Sequence, residues 1–272
     1  MSNKRNPIHI FMQAKGGVGK SVGSAILAQY LDDCVGAENT YFLDTDPSNN
    51  SFSKFEALGV EYINPAITDA QTGETVVDAM AINKIFENLF AIPEHTVVDT
   101  GSSNYIALKS YLVGNQIFEM LANEDEVKRD VFIHVPVNGG ADFVFCGTEL
   151  REMANQFAHV KFVIWLNPRG GEILTSSGIS FDDDKMASDL RKAGKLAGIV
   201  HMPDLKDPKK TVFAEALKAG MTFKEYDGNG KYSLIQRSNI KQIRSLYYAE
   251  LDDVFGGYAD MRQKRNEGSK VE

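Results

Sequence analysis

Short runs of consecutive apolar residues recur along the chain, at 8–13, 40–44, 96–99, 131–137, 160–166 and 197–202. β-Branched and aromatic side chains dominate them, as in Val131-Phe132-Ile133-His134-Val135 and Phe162-Val163-Ile164-Trp165-Leu166. Apolarity on successive positions predicts strands covered on both faces, and hence a parallel sheet. Segments of helical character lie between them, at 20–33, 75–90, 141–157 and 182–193. This alternation predicts a doubly wound α/β fold with a mostly parallel sheet flanked by helices and ligands at the carboxyl ends of its strands. A last helix is expected over 234–255, where Ile240, Ile243, Leu246, Tyr247, Leu251 and Val254 keep helical spacing. Residues 1–257 read as one domain and 258–272 as a polar, frayed tail. Residues 170–180 are rich in Gly, Ser and Thr and read as a flexible loop or lid; 227–230 are turn chemistry.

Composition narrows the function classes. The chain has 272 residues, 43% apolar and 24% charged, with a formal net charge of -8. That acidic balance argues against coating nucleic acid through overall charge, though a local basic patch survives the objection. Cys34 and Cys146 are far apart and match no ligand spacing, so they read as reduced thiols of a cytoplasmic protein. No run approaches the ~18–20 apolar residues that span a bilayer. His134 and His201 lack ligand partners at useful spacing, so no metal beyond Mg²⁺ is expected.

The strongest chemical signal follows the first apolar run: Ala14-Lys15-Gly16-Gly17-Val18-Gly19-Lys20-Ser21, then a helix. Strand, glycine loop and helix together are what a phosphate loop needs. The backbone N–H groups of Gly16, Gly17, Val18 and Gly19, continuing through Lys20, Ser21 and Val22, can cradle phosphates at a positive helix end. Lys20 would reach the β/γ-phosphates and the Ser21 hydroxyl would complete a Mg²⁺ shell. Two later strand ends fit the same chemistry. Tyr41-Phe42-Leu43-Asp44-Thr45-Asp46-Pro47 ends in two carboxylates on one side of the strand. Thr96-Val97-Val98-Asp99-Thr100-Gly101 ends in an aspartate placed to bind Mg²⁺ through water.

One departure is informative: Ala14 stands where the usual loop has glycine, and Lys15 follows it. Lys-Gly-Gly-Val-Gly-Lys-Ser resembles the deviant Walker A motif of the ParA/MinD superfamily of ATPases. The resemblance implies a nucleotide-sandwich homodimer formed with ATP, in which Lys15 reaches the partner's phosphates. It implies that Asp46 orients the attacking water and that Asp44 helps hold the Mg²⁺ shell or the loop lysine. It gives Gly101 the turn of the second switch. It sets Asn167, in Trp165-Leu166-Asn167-Pro168-Arg169, on the adenine edge, with Pro203 covering the base from the next strand end. The segment Asp44–Ser53 lacks the Gln-Gly of partition ATPases. With 98–103, 111–116, 134–140, 162–168, 217–223 and 236–251, it is similar to the TraL group of plasmid-transfer ATPases and to StbB and MobD plasmid proteins. That narrower resemblance implies a cytoplasmic ATPase, catalytic through Lys15, Lys20 and Asp46, serving plasmid transfer or stability with other plasmid proteins.

Two other readings use the same scaffold. A partition ATPase would bind DNA non-specifically in its ATP state, through Lys206, Lys209, Lys210 and Lys218 or through Arg237, Lys241 and Arg244. A small-molecule synthetase would usually lack Lys15. An iron–sulfur ATPase is excluded by the cysteine positions. A MinD-like membrane helix is excluded by the polar tail, which has no apolar face.

Overall fold

A computed structural model describes residues 5–68, 75–175 and 178–268. In chain order the elements are β1 Ile8–Phe11, α1 Lys20–Val35, β2 Thr40–Thr45, β3 Glu61–Tyr62, β4 Ala66–Thr68, β5 Thr75–Val77, α2 Ala79–Ala91, β6 His95–Thr100, α3 Tyr105–Gly114 and α4 Ile117–Asn123. They continue with β7 Val131–Asn138, α5 Phe143–Gln156, β8 Lys161–Asn167, α6 Lys185–Lys192, β9 Leu196–His201, α7 Lys209–Ala219, α8 Phe223–Gly228, α9 Leu234–Val254 and α10 Gly256–Gly268.

Seven strands form one sheet in the order β3-β2-β6-β1-β7-β8-β9. All its pairings are parallel. The predicted doubly wound α/β class is what forms, because both faces of the strands are apolar. Ile8 and Ile10 of β1 enter a core under α2–α6, and Phe11 enters the opposite core under α1 and α7–α10. Val98 and Val97 of β6 divide the same way. Local signals mark several helix starts: Ser233 and Gln236 form a capping box on α9, Thr222 and Glu225 one on α8, and Asp78 caps α2.

Three expectations change. The helix expected from 75 begins at Ala79, because β-branched Thr75–Val77 pair with β4 and Asp78 then accepts from Met80 N. The tail expected to fray at 258 is helical through 268. There Tyr258 meets Tyr30 and Phe255, and Arg262 lies over the Tyr30 and Tyr248 rings while pairing with Asp252 at 2.6 Å. Polar composition hid this packing because an arginine buries its stem and rings face its guanidinium. The described part of the 170–180 loop is tied down. Gly140 N donates to Glu172 O at 3.1 Å, and Leu174 bridges Ser180.

Candidate functional site

The glycine loop leaves β1 at the carboxyl edge of the sheet, and α1 begins at Lys20. Gly17 and Gly19 take φ of 75° and 103°, which side chains with a Cβ rarely adopt. Lys20 is buried. Its Nζ donates to Gln13 O at 3.2 Å and Lys15 O at 3.4 Å, so it lies back along the loop. Burial lowers its pKa, and Asp99 and Asp46 work against that shift.

Asp99, at the end of β6, is fully buried beside the first turn of α1. Its Oδ1 accepts from Ser24 Oγ at 2.9 Å, and its Oδ2 has no partner among the described residues. Burial, then the neighbouring Asp44, pushes its carboxyl up to about 7, while Ser21, Ser24 and Lys20 pull the other way. A buried carboxylate with an orphan oxygen next to Ser21 fits a divalent cation held partly through water.

The two carboxylates at the end of β2, Asp44 within it and Asp46 just after it, take different tasks. Asp44 Oδ1 accepts from Asp46 N at 3.0 Å and its Oδ2 from Ser53 N at 2.9 Å. Both oxygens are thus bonded to the backbone of the following loop. In this arrangement Asp44 braces the segment that carries Asp46. Asp46 Oδ1 accepts from Ser48 N and Asn49 N, and the side chain lines the cleft above Lys20. Gly101 packs against it so closely that a Cβ would lie 2.7 Å from Asp46 Oδ1. Ser48 Oγ and Ser103 Oγ, 2.8 Å apart, join the loop after β2 to the loop after β6.

Lys15 does not line the cleft. Its Nζ pairs at 3.0 Å with Asp142 Oδ1, just beyond β7, and both side chains are partly exposed. The hydrogen bonds from Lys15 and Asn138 hold the Asp142 carboxyl below its ordinary range. Asn167 is also committed: Nδ2 donates to Val18 O at 2.9 Å, and Oδ1 accepts from Arg169 N at 3.0 Å. Its amide supports the loop backbone. Pro203, half-buried, follows Met202, whose methyl lies 3.7 Å from where a Gly19 Cβ would be.

The cleft holds about 530 Å³. The phosphate-loop residues Gly16, Gly17, Gly19, Lys20, Ser21 and Val22 form one wall, and the segment from Asp46 to Phe55 forms another. Ser102, Arg169, Leu217 and Lys218 complete it. Lys54 was not legible as a site residue, since a single cation in a loop carries no spacing signal, and Lys218 was considered only for DNA. Of the cations considered for DNA, Arg237 and Lys241 lie by Asp227, Arg244 by Asp33 and Lys206 by Asp204. Among the described residues no helix is long and apolar enough to cross a membrane, and no cluster of three His, Cys, Asp or Glu forms a metal site.

The chain is 32% identical over 250 residues to Protein TraL of Escherichia coli, covering 90% of this chain and 97% of that protein. A second Protein TraL of E. coli is 29% identical over 248 residues, with the same two coverages. Among solved structures, McdA of Cyanothece in complex with ATP is similar at 10% identity, a TM-score of 0.41, and coverage of 93% of this chain and 97% of that one. A nucleotide-binding protein of Archaeoglobus fulgidus in complex with ADP is similar at 19% identity, a TM-score of 0.36, and coverage of 80% and 88%. No family model matches.

Proposed function

The chain belongs to the TraL family, and on that premise we propose that it is a Mg²⁺-dependent ATPase whose nucleotide state switches its self-association in plasmid transfer or plasmid stability. The observation that carries the reading is the cleft itself. A glycine loop and a buried lysine line it at the carboxyl edge of a parallel sheet, and Asp99, buried with an orphan oxygen, lies beside the Ser21 of that lining.

Backbone N–H groups of 16–22 hold the phosphates and Lys20 neutralises their β/γ charge. Ser21 and Asp99 are the residues that would hold Mg²⁺, which when bound supplies charge neutralisation at the β/γ oxygens. Asp46, fixed through Oδ1, keeps Oδ2 for orienting a water toward the γ-phosphate. Lys15 stands outside its own cleft, as a lysine acting on a facing subunit's nucleotide would. The ion pairs on the α9 cations support this reading over a DNA-binding partition ATPase.

The test combines ATP turnover with light scattering after size exclusion, in the apo, ADP and ATP states. The expected result is slow, EDTA-sensitive hydrolysis and a dimer only with ATP. A protein that stays monomeric in every state, or that hydrolyses equally in EDTA, refutes the switch.

A further inference from the structure

Resting on the nucleotide reading of the cleft, we infer that Lys54 and Lys218 form a cationic clamp on the α-phosphate of the bound nucleotide. The phosphate loop serves the phosphates unevenly. Lys20 reaches the β/γ-phosphates, which leaves the α-phosphate to backbone N–H groups. Two residues after Lys20 the chain has Val22, which lines the cleft and offers no side-chain donor.

Lys54 and Lys218 line the same cleft from two other segments, the loop after β2 and the end of α7. Neither makes an ion pair or a side-chain hydrogen bond among the described residues. Most cations on the α9–α10 side do, including Lys224 and Arg244 with Asp33 and Arg262 with Asp252. In a chain of net charge -8, two cations left without carboxylates at the mouth of one cleft raise the local potential for an anion.

Their positions are built in. Phe52 and Phe55, beside Lys54, are buried in the same core as Val212, Phe213 and Ala216 of α7. Gly220, at φ 62°, backs onto the Lys54 carbonyl, where a Cβ would collide with it. Two segments distant in sequence are thus locked in backbone contact, each presenting a lysine to the cleft.

The test is equilibrium binding of ADP and ATP to the full chain by calorimetry, with Lys54→Gln, Lys218→Gln, the double variant, and Arg at both positions. Circular dichroism checks folding. Each single Gln variant should weaken ADP and ATP alike by about three- to fivefold, the upper range for an exposed ion pair. The double variant should weaken both further and flatten the salt dependence, and the double Arg variant should restore most of the affinity. A double Gln variant within twofold of wild type, or a loss confined to ATP, overturns the clamp while leaving the nucleotide site intact. A wild-type chain that binds neither nucleotide overturns the nucleotide reading and the clamp with it.

Discussion

Lys15 Nζ lies 3.0 Å from Asp142 Oδ1, outside the cleft that Lys20, five residues later, lines. Two lysines of one loop therefore face different surroundings, one the cleft and one the rim beyond β7. Lys15→Ala should bind ATP within a few-fold of wild type but fail to dimerise with ATP and turn over at least about tenfold more slowly. Asp142→Asn should release Lys15 and favour the ATP dimer at lower protein concentration. Light scattering checks both, and a Lys15→Ala chain that dimerises and hydrolyses normally would leave the early lysine a solvated loop residue.

Lys20→Ala and Asp46→Ala should separate binding from chemistry. The first removes the only phosphate-loop cation inside the cleft, so nucleotide affinity should fall about 100-fold or more. The second leaves the cradle whole and should bind ATP normally while hydrolysis stalls and the ATP dimer accumulates. Calorimetry beside a phosphate-release assay distinguishes them. Wild-type hydrolysis by Asp46→Ala would reduce that residue to a turn-former.

Gly101 should prove intolerant for reasons of space. A Cβ there would stand 2.7 Å from Asp46 Oδ1 and 3.0 Å from Pro47 Cδ. Gly101→Ala must therefore displace Asp46, lowering kcat about tenfold or more with ADP affinity within a few-fold of wild type. If kcat does not change, Asp46 has freedom that the packing denies it.

The chain should lose stability as pH falls below neutrality. Trp165 Nε1 donates to His134 Nδ1 at 2.9 Å, so the His134 proton sits on Nε2, which meets His9 Nδ1 at 2.9 Å. Both rings are neutral and fully buried. Burial lowers the His134 pKa to about 3 and that of His9 well below its ordinary value, the latter helped by His134. Above about pH 6.5 neither folded nor unfolded chain holds these protons, and the two histidines add no slope. Below it the unfolded chain binds protons that the fold refuses, and each histidine costs about 1.4 kcal/mol per pH unit until its folded pKa is reached. Urea midpoints should fall between pH 7 and pH 5. His134→Gln, which still offers Trp165 an acceptor, should fall less steeply. A midpoint constant over that range contradicts the neutral pair.

The sequence by itself determined the sheet, the phosphate loop and the acidic strand ends, because each is written in contiguous residues. Successive apolar positions allow only strands covered on both faces. The glycines before Lys20 and Ser21 allow only a loop that turns its N–H groups inward. The order of the strands, which sets Asp99 beside the first turn of α1, was left to the tertiary structure. So were the duties of individual side chains. Asp44 became a brace, Asn167 a support for the loop, and Lys15 the partner of Asp142. Lys54 and Lys218 acquired a shared cleft. The physical reason is that a polar side chain's partner is fixed by which backbone or charge packs nearest, and that neighbour can be distant along the chain, 149 residues away in the case of Val18 and Asn167.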